Sequence, residues 1–240
     1  MVSACGLTVT TSDLEGGCPR HLPGPELVKI ESASGAYCID TTEVSTAHYQ
    51  AFFDAQGSDA QAHIDRPGCG GVMTLRPDVT AWPVRGAEDL PVVRVNWCQA
   101  TAYCLWAGKR LCGKVGGGSL VEEFLLDPSV SQWLNACSHG GTRPFPNGAN
   151  YDANLCGPAP SPTFVTTRRC EGGFPGLYDM GANVREWVDT CPPPTNGNSC
   201  FTQGAAFDAL PPDEFRCTES RPWTQTSGAD NIGFRCCKDL

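Results

Sequence analysis

The sequence predicts one α+β domain, rich in loops and stapled by disulfides. Three observations lead there. The chain carries fifteen cysteines, more than a reducing compartment sustains as bridges. Its apolar residues follow a two-residue period in some short segments and a helical period in others. From residue 138 onward Gly, Pro, Asn and Asp dominate, with only short apolar pieces between them. No internal repeat or clean linker divides the chain. Residues 1–27 read as a flexible Gly/Pro-rich lead-in, and 28–240 as the domain.

The elements follow in order. "ELVKIESASGAYCIDTTEV" alternates about a turn and predicts a hairpin over 26–44. Ser45 or Thr46 caps a helix in "STAHYQAFFDA", where Tyr49, Phe52 and Phe53 share a face. Residues 55–90 read as loop. "PVVRVNWCQATAYCLWAGKRLC" gives a short strand and then a helix. That helix turns Trp97, Ala100 or Thr101, Cys104 and Leu105 to one side and stops at Gly108. "SLVEEFLLDPSVSQWLNAC" offers one or two short helices, and short strands follow near 176–189, 201–207 and 232–237.

Composition excludes several partners. A net charge of −9 without a Lys/Arg cluster argues against nucleic acid. No apolar run of about 18 residues is present to span a membrane. Zinc sites favour closely spaced Cys and His, whereas His21, His48, His63 and His139 are scattered and the one tight cysteine pair is Cys236-Cys237. Disulfides and an extracytoplasmic location (secreted, periplasmic or lipid-anchored) are therefore expected. The opening "MVSACG" has the form of the end of a bacterial lipoprotein signal, which makes Cys5 a candidate lipid anchor. Setting Cys5 aside leaves an even number of cysteines. The short loops between Cys156 and Cys170 and between Cys191 and Cys200 suggest two bridges. Cys18, Cys38, Cys69, Cys98, Cys112 and Cys237 allow several pairings.

"GLYDMGANVREW" poses the chemical question: Asp179 and Glu186 stand seven residues apart, with small or neutral residues between. Spacing alone fits a turn acid and a surface acid as well as a cation loop. The order of motifs adds information. "YCIDTTEVSTAHYQAFF", "PVVRVNWCQATAYCLWAGKRL", "SQWLNACS", "FPNG", "GLYDMGANVREW" and "NIGFRCC" occur in that order between residues 28 and 238. Together they resemble the formylglycine-generating enzyme (sulfatase-modifying factor) family. The resemblance implies that family's variant of the C-type lectin fold. It implies a structural calcium ion held by the Asp179 and Glu186 carboxylates and the Ala182 and Val184 carbonyls, hard oxygen donors of the kind calcium takes. The family's usual residues at 179 and 182 are Asn and Gly. A second calcium loop resembles "YDANLCG", with Asn154 and the Leu155 carbonyl, but the acid that completes it has no counterpart near "TTRRCEGG". The resemblance also implies the bridges Cys104–Cys236 and Cys137–Cys217.

The family's chemistry is missing. Its enzymes oxidise a client cysteine with oxygen and copper, and two thiolates of a C-x4-C pair after a "GGS[FYW]" turn hold Cu(I). Here the turn is Gly204-Ala205-Ala206-Phe207, and no cysteine lies between Cys200 and Cys217. Soft sulfur donors for copper are absent from that segment, so copper is not expected. The lectin sugar signatures EPN, QPD and WND are absent too. Asp213 and Glu214 read as loop acids. Two functions stand: a non-catalytic module binding a protein or surface ligand through its loops, or an oxidoreductase of the family with altered catalytic groups.

Overall fold

A computed structural model describes residues 17–59, 63–64, 66–167, 170–193 and 198–240. The candidate anchor Cys5 lies outside the described residues. Among the described residues, two four-stranded sheets, four short α-helices and three 3-10 turns make up the regular structure. The first sheet has the order β1-β2-β8-β3, from Leu27–Ser32, Gly35–Asp40, Cys236–Asp239 and Arg110–Leu111. The second has the order β6-β5-β4-β7, from Ser220–Thr224, Ser199–Gln203, Arg185–Trp187 and Ile232–Phe234. Pairing is antiparallel except between β4 and β7.

The hairpin forms where alternation placed it. Leu27 faces Asp40 and Ser32 faces Gly35, while Ile30, Tyr37 and Ile39 turn into the core. α1 (Thr46–Gln56) starts at Ser45, whose hydroxyl takes the His48 amide while the His48 ring returns to the Ser45 amide. α2 (Trp97–Trp106) repeats the device with Asn96 and Gln99. The helices meet through Tyr49 and Tyr103, stacked at 5.7 Å, with Phe52 edge-on to Tyr103.

Three expectations need correction. No strand forms over 91–95: Arg94 adopts φ 58°, outside the extended region, and Pro91 makes only an isolated bridge to Ser45. Leu105 does not line the buried side of α2. It is half exposed, while every residue from Trp97 to Cys104 is buried. Of residues 176–189 only β4 is strand; the remainder is turn and irregular chain. β3 and β6 were not anticipated. β6 is an edge strand whose "SRPWT" lacks apolar alternation and contains Pro222, a residue an edge accommodates. The chain over 120–138 holds a 3-10 turn at Glu122–Phe124 and α3 (Gln132–Ser138).

Seven disulfides staple this frame: Cys18–Cys38, Cys69–Cys98, Cys104–Cys236, Cys112–Cys237, Cys137–Cys217, Cys156–Cys170 and Cys191–Cys200. The first ties the lead-in to β2. Lys109 holds it as well, donating to the Pro25 carbonyl at 2.9 Å and to buried Asp40 at 2.6 Å. The described part of the lead-in thus contacts the domain at Cys18 and at Pro25. Among the described residues no helix is long and apolar enough to cross a membrane. That fact and the bridges are compatible with an extracellular or luminal location. Intact-mass analysis of native protein is expected to gain two hydrogens per bridge on reduction, for seven bridges. Extensive alkylation of unreduced protein would contradict this map.

Candidate functional site

One residue, Arg235, separates β7 from β8, where the chain passes from the second sheet to the first. Its guanidinium is fully buried between them. It donates to Glu186 Oε1 and Oε2 at 2.7–2.9 Å, to the Asp40 carbonyl at 3.0 Å and to the Tyr178 carbonyl at 2.9 Å. Trp133 Nε1 completes the shell of Glu186, donating to Oε2 at 2.7 Å. Glu186 comes from β4, so a single ion pair joins both sheets, the end of β2 and α3.

Two further acids interact electrostatically with the same guanidinium. Glu43, just past β2, is completely buried, and Asp179 nearly so. Burial first, and then the Asp179 carboxylate, push Glu43 well above the usual carboxylate range. Asn183 links the group outward: its Nδ2 donates to Glu43 Oε1 at 3.1 Å, and its Oδ1 accepts the Thr163 amide at 2.8 Å. Asp179 adopts φ 58° and Asn183 φ 63°, left-handed conformations that Asp and Asn tolerate better than most residues. These two residues curl the chain between Tyr178 and β4.

The structure divides the expected calcium ligands. Asp179 and Ala182 line a niche of about 20 Å³, room for one water molecule or one bare cation, together with Leu155, Thr163, Asn183 and Phe207. Val184 is buried just before β4 and is not part of the niche wall. Both oxygens of Glu186 already accept hydrogen bonds, from Arg235 and Trp133. Leu155, from the second expected loop, reaches the same niche from α4 (Ala153–Cys156), and the Cys156–Cys170 bridge pins that helix there. Asn154 is exposed beside it, its amide bonded to Asp152 Oδ1 at 2.9 Å. Among the described residues no group of three or more His, Cys, Asp and Glu has metal-holding geometry. The polar side chains of the niche are those of Asp179, Asn183 and Thr163.

The turn at Gly204-Ala205-Ala206-Phe207 lies next to this cluster. Gly204 has φ +83°, and a Cβ there would come within 3.0 Å of the Trp133 ring and 3.1 Å of Gly181 Cα. Glycine is therefore required. Ala205 and Ala209 are buried with Phe145, Ala182, Phe215 and the Cys156–Cys170 bridge. Beyond them runs an ionic lattice. Arg185 donates to the Gly204 carbonyl at 3.1 Å and lies 3.7 Å from Glu214 and 3.6 Å from Glu219. Arg221 pairs with the same two acids. The Leu210 amide and Arg221 hold Glu214 below the usual carboxylate range, which makes it a counterion rather than a proton donor. Asp213 is exposed and pairs with Arg216.

Sequence reasoning missed Glu43 and Arg235. An acid inside "DTTEV", between buried Asp40 and buried Val44, was a signal of a paired charge.

The model of the sulfatase-modifying factor enzyme 1-like domain matches residues 28–240. Formylglycine-generating enzyme of Bos taurus is 26% identical over 270 residues, covering 86% of this chain and 67% of that protein. A Mus musculus protein named inactive C-alpha-formylglycine-generating enzyme 2 is 30% identical over 161 residues, covering 64% of this chain and 50% of that protein. The chain thus spans one half to two thirds of the length of these relatives. Among solved structures, CarF superposes with a TM-score of 0.56 at 19% identity, covering 86% of this chain and 87% of that one. PvdO from Pseudomonas aeruginosa superposes with 0.54 at 19%, covering 86% and 81%. At such identities the likeness establishes the fold alone.

Proposed function

Because the chain belongs to the family of sulfatase-modifying factor enzyme 1-like domains, we propose that it acts as a non-catalytic extracytoplasmic module on that family's fold. In this reading its loops bind a protein or surface ligand. The observation that carries the proposal is residues 201–216. They contain no cysteine; Ala205, Ala206 and Ala209 are buried; and Glu214 is locked between two arginines. Cu(I) needs soft donors at fixed separation, and Ala, Pro, Asp and Glu supply none. The remaining described cysteines are bridged, and a bridged sulfur is not a thiolate ligand. The mouse relative is named an inactive enzyme, which supports the reading, as do the seven disulfides for the compartment.

The test is a sulfatase-type CxPxR peptide incubated with the protein, copper and a thiol reductant. The expected result is no aldehyde mass shift on the peptide cysteine above a protein-free control. Turnover would overturn the proposal in favour of an oxidoreductase.

In the same reading calcium braces the 179–186 loop from the niche at Asp179 and Ala182. A ligand bound only by the folded state stabilises it by mass action. Chelation is therefore expected to lower the melting temperature, with elemental analysis confirming that the ion was removed. An unchanged melting temperature after verified removal counts against calcium.

A further inference from the structure

We infer that the turn from Val121 to Leu126 is a docking knob for a protein partner, one whose surface offers an apolar pocket rimmed by Lys and Arg. The inference rests on the reading that the loops of this module bind a ligand, and it names the loop and the partner's chemistry. Single exposed apolar side chains are ordinary on a protein surface, whereas a group of them marks a contact site. Val121, Phe124 and Leu126 lie along one short stretch and are 61%, 39% and 54% exposed. Glu122–Phe124 is a 3-10 turn, and the Phe124 amide donates to the Val121 carbonyl at 3.0 Å. Residues three apart eclipse in such a turn, which puts Val121 and Phe124 on one edge.

The knob is preorganised. The loop that carries it closes at its base. There Lys114 bridges Ser131, the Val115 amide donates to the Val130 carbonyl at 2.8 Å and the Gln132 amide to the Gly113 carbonyl at 2.9 Å. Leu120 and Leu125 alternate with the exposed residues and are buried in the core cluster of Trp133. The Leu120 amide donates to the Asp189 carbonyl at 2.8 Å. Apolar groups fixed in this way lose little freedom on binding, a condition that favours hot spots. Charge selects the partner. Glu122, Glu123 and Asp127 are acidic, and no Lys or Arg occurs between Lys114 and Arg143. Glu122 and Glu123 are exposed and enter no salt bridge among the described residues. The Ser129 hydroxyl, and then its amide, hold Asp127 below the usual carboxylate range, so it too is charged. A basic rim is complementary to this border. A second copy docking through the same face would set the acids against themselves, and an anionic lipid surface would repel them.

The probe is a phage-displayed library of random disulfide-closed peptides, selected on the immobilised full chain at low salt. Short peptides settle on preorganised apolar sites and so sample the chemistry a partner would use. Selected clones are measured on wild type, on Phe124→Ser, on the double variant Glu122→Gln with Glu123→Gln, and on Trp223→Ser, an exposed apolar residue elsewhere. The clones are expected to combine Lys or Arg with large apolar residues. Phe124→Ser is expected to weaken them by about tenfold or more. The double glutamine variant is expected to weaken them by about threefold at low salt and less at high salt, where screening removes the difference. Trp223→Ser should leave binding unchanged. All these residues are exposed, so melting temperatures should match wild type and lost binding is not lost folding. Clones that bind Phe124→Ser as tightly as wild type, or an empty selection, would overturn the inference. Clones without basic residues and indifferent to the glutamines would overturn the basic rim. The non-catalytic reading stands or falls separately, on the CxPxR peptide. Phosphatidylglycerol vesicles that sediment wild type but not Phe124→Ser would overturn the inference in favour of a membrane. A dimer in solution that Phe124→Ser dissolves would overturn it in favour of a second copy.

Discussion

Arg235→Met is expected to destabilise the protein by about 3–5 kcal/mol, more than any substitution of a single acid facing it. The guanidinium is fully buried, paired with buried Glu186, and under the electrostatic influence of buried Glu43 and Asp179. Methionine fills much of the volume but leaves Glu186, which pairs with that guanidinium at 2.7 Å, without its cation. Glu186 also loses three of its hydrogen bonds, and the Asp40 and Tyr178 carbonyls lose their donor. Glu186→Gln should cost less. It leaves Glu43 and Asp179 facing the positive charge and keeps an acceptor for Trp133. Urea unfolding at neutral pH measures both. Arg235→Met within about 1 kcal/mol of wild type would mean that the acids are neutral in the folded protein and that the cluster is not held by charge.

How much of this was legible follows from how local each signal is. α1 and α2 were readable because the cap and the apolar face lie within a few residues: Ser45 with His48, Asn96 with Gln99. The β1–β2 hairpin was readable for the same reason. β6 was not, since its only support is a ladder to β5, twenty residues away, and "SRPWT" bears no pattern of its own. The bridge partners of Cys236 and Cys237 could not be told apart by spacing. Adjacent residues on β8 point to opposite faces, one sulfur to Cys104 beside the α1–α2 aromatic cluster and the other to Cys112 beside the α3 cluster. The site was half legible. Asp179 and Ala182 were singled out from one continuous loop and line one niche. Glu186 was singled out from the same loop but answers to Arg235, 49 residues later. No short motif encodes a contact made where the chain crosses between sheets.

Replacing both Cys104 and Cys236 by alanine is expected to cost about 4–5 kcal/mol, close to the whole stability of many domains. The bridge closes a loop with a sequence separation of 132 residues, and in the chain-entropy account long loops restrict the unfolded state most. Both sulfurs are fully buried beside Tyr49, Tyr103 and Phe234, so alanine also leaves a space in the core. The same change at Cys191 and Cys200 is the control. Its loop spans a separation of 9 residues and Cys191 is exposed, so about 2–3 kcal/mol is expected. Equal losses from the two pairs would reject loop length as the cause. A second consequence separates this bridge from an ordinary staple. Cys236 follows Arg235 directly, and its amide donates to Asp40 Oδ2 at 2.8 Å. The disulfide therefore fixes the backbone that aims the guanidinium at Glu186. In a double-mutant cycle, removing the bridge and replacing Arg235 by methionine should cost less together than the sum of the two, by about 1 kcal/mol or more, as for neighbours sharing one backbone segment. Simple additivity would mean that the bridge and the ion pair stabilise the junction between the sheets independently.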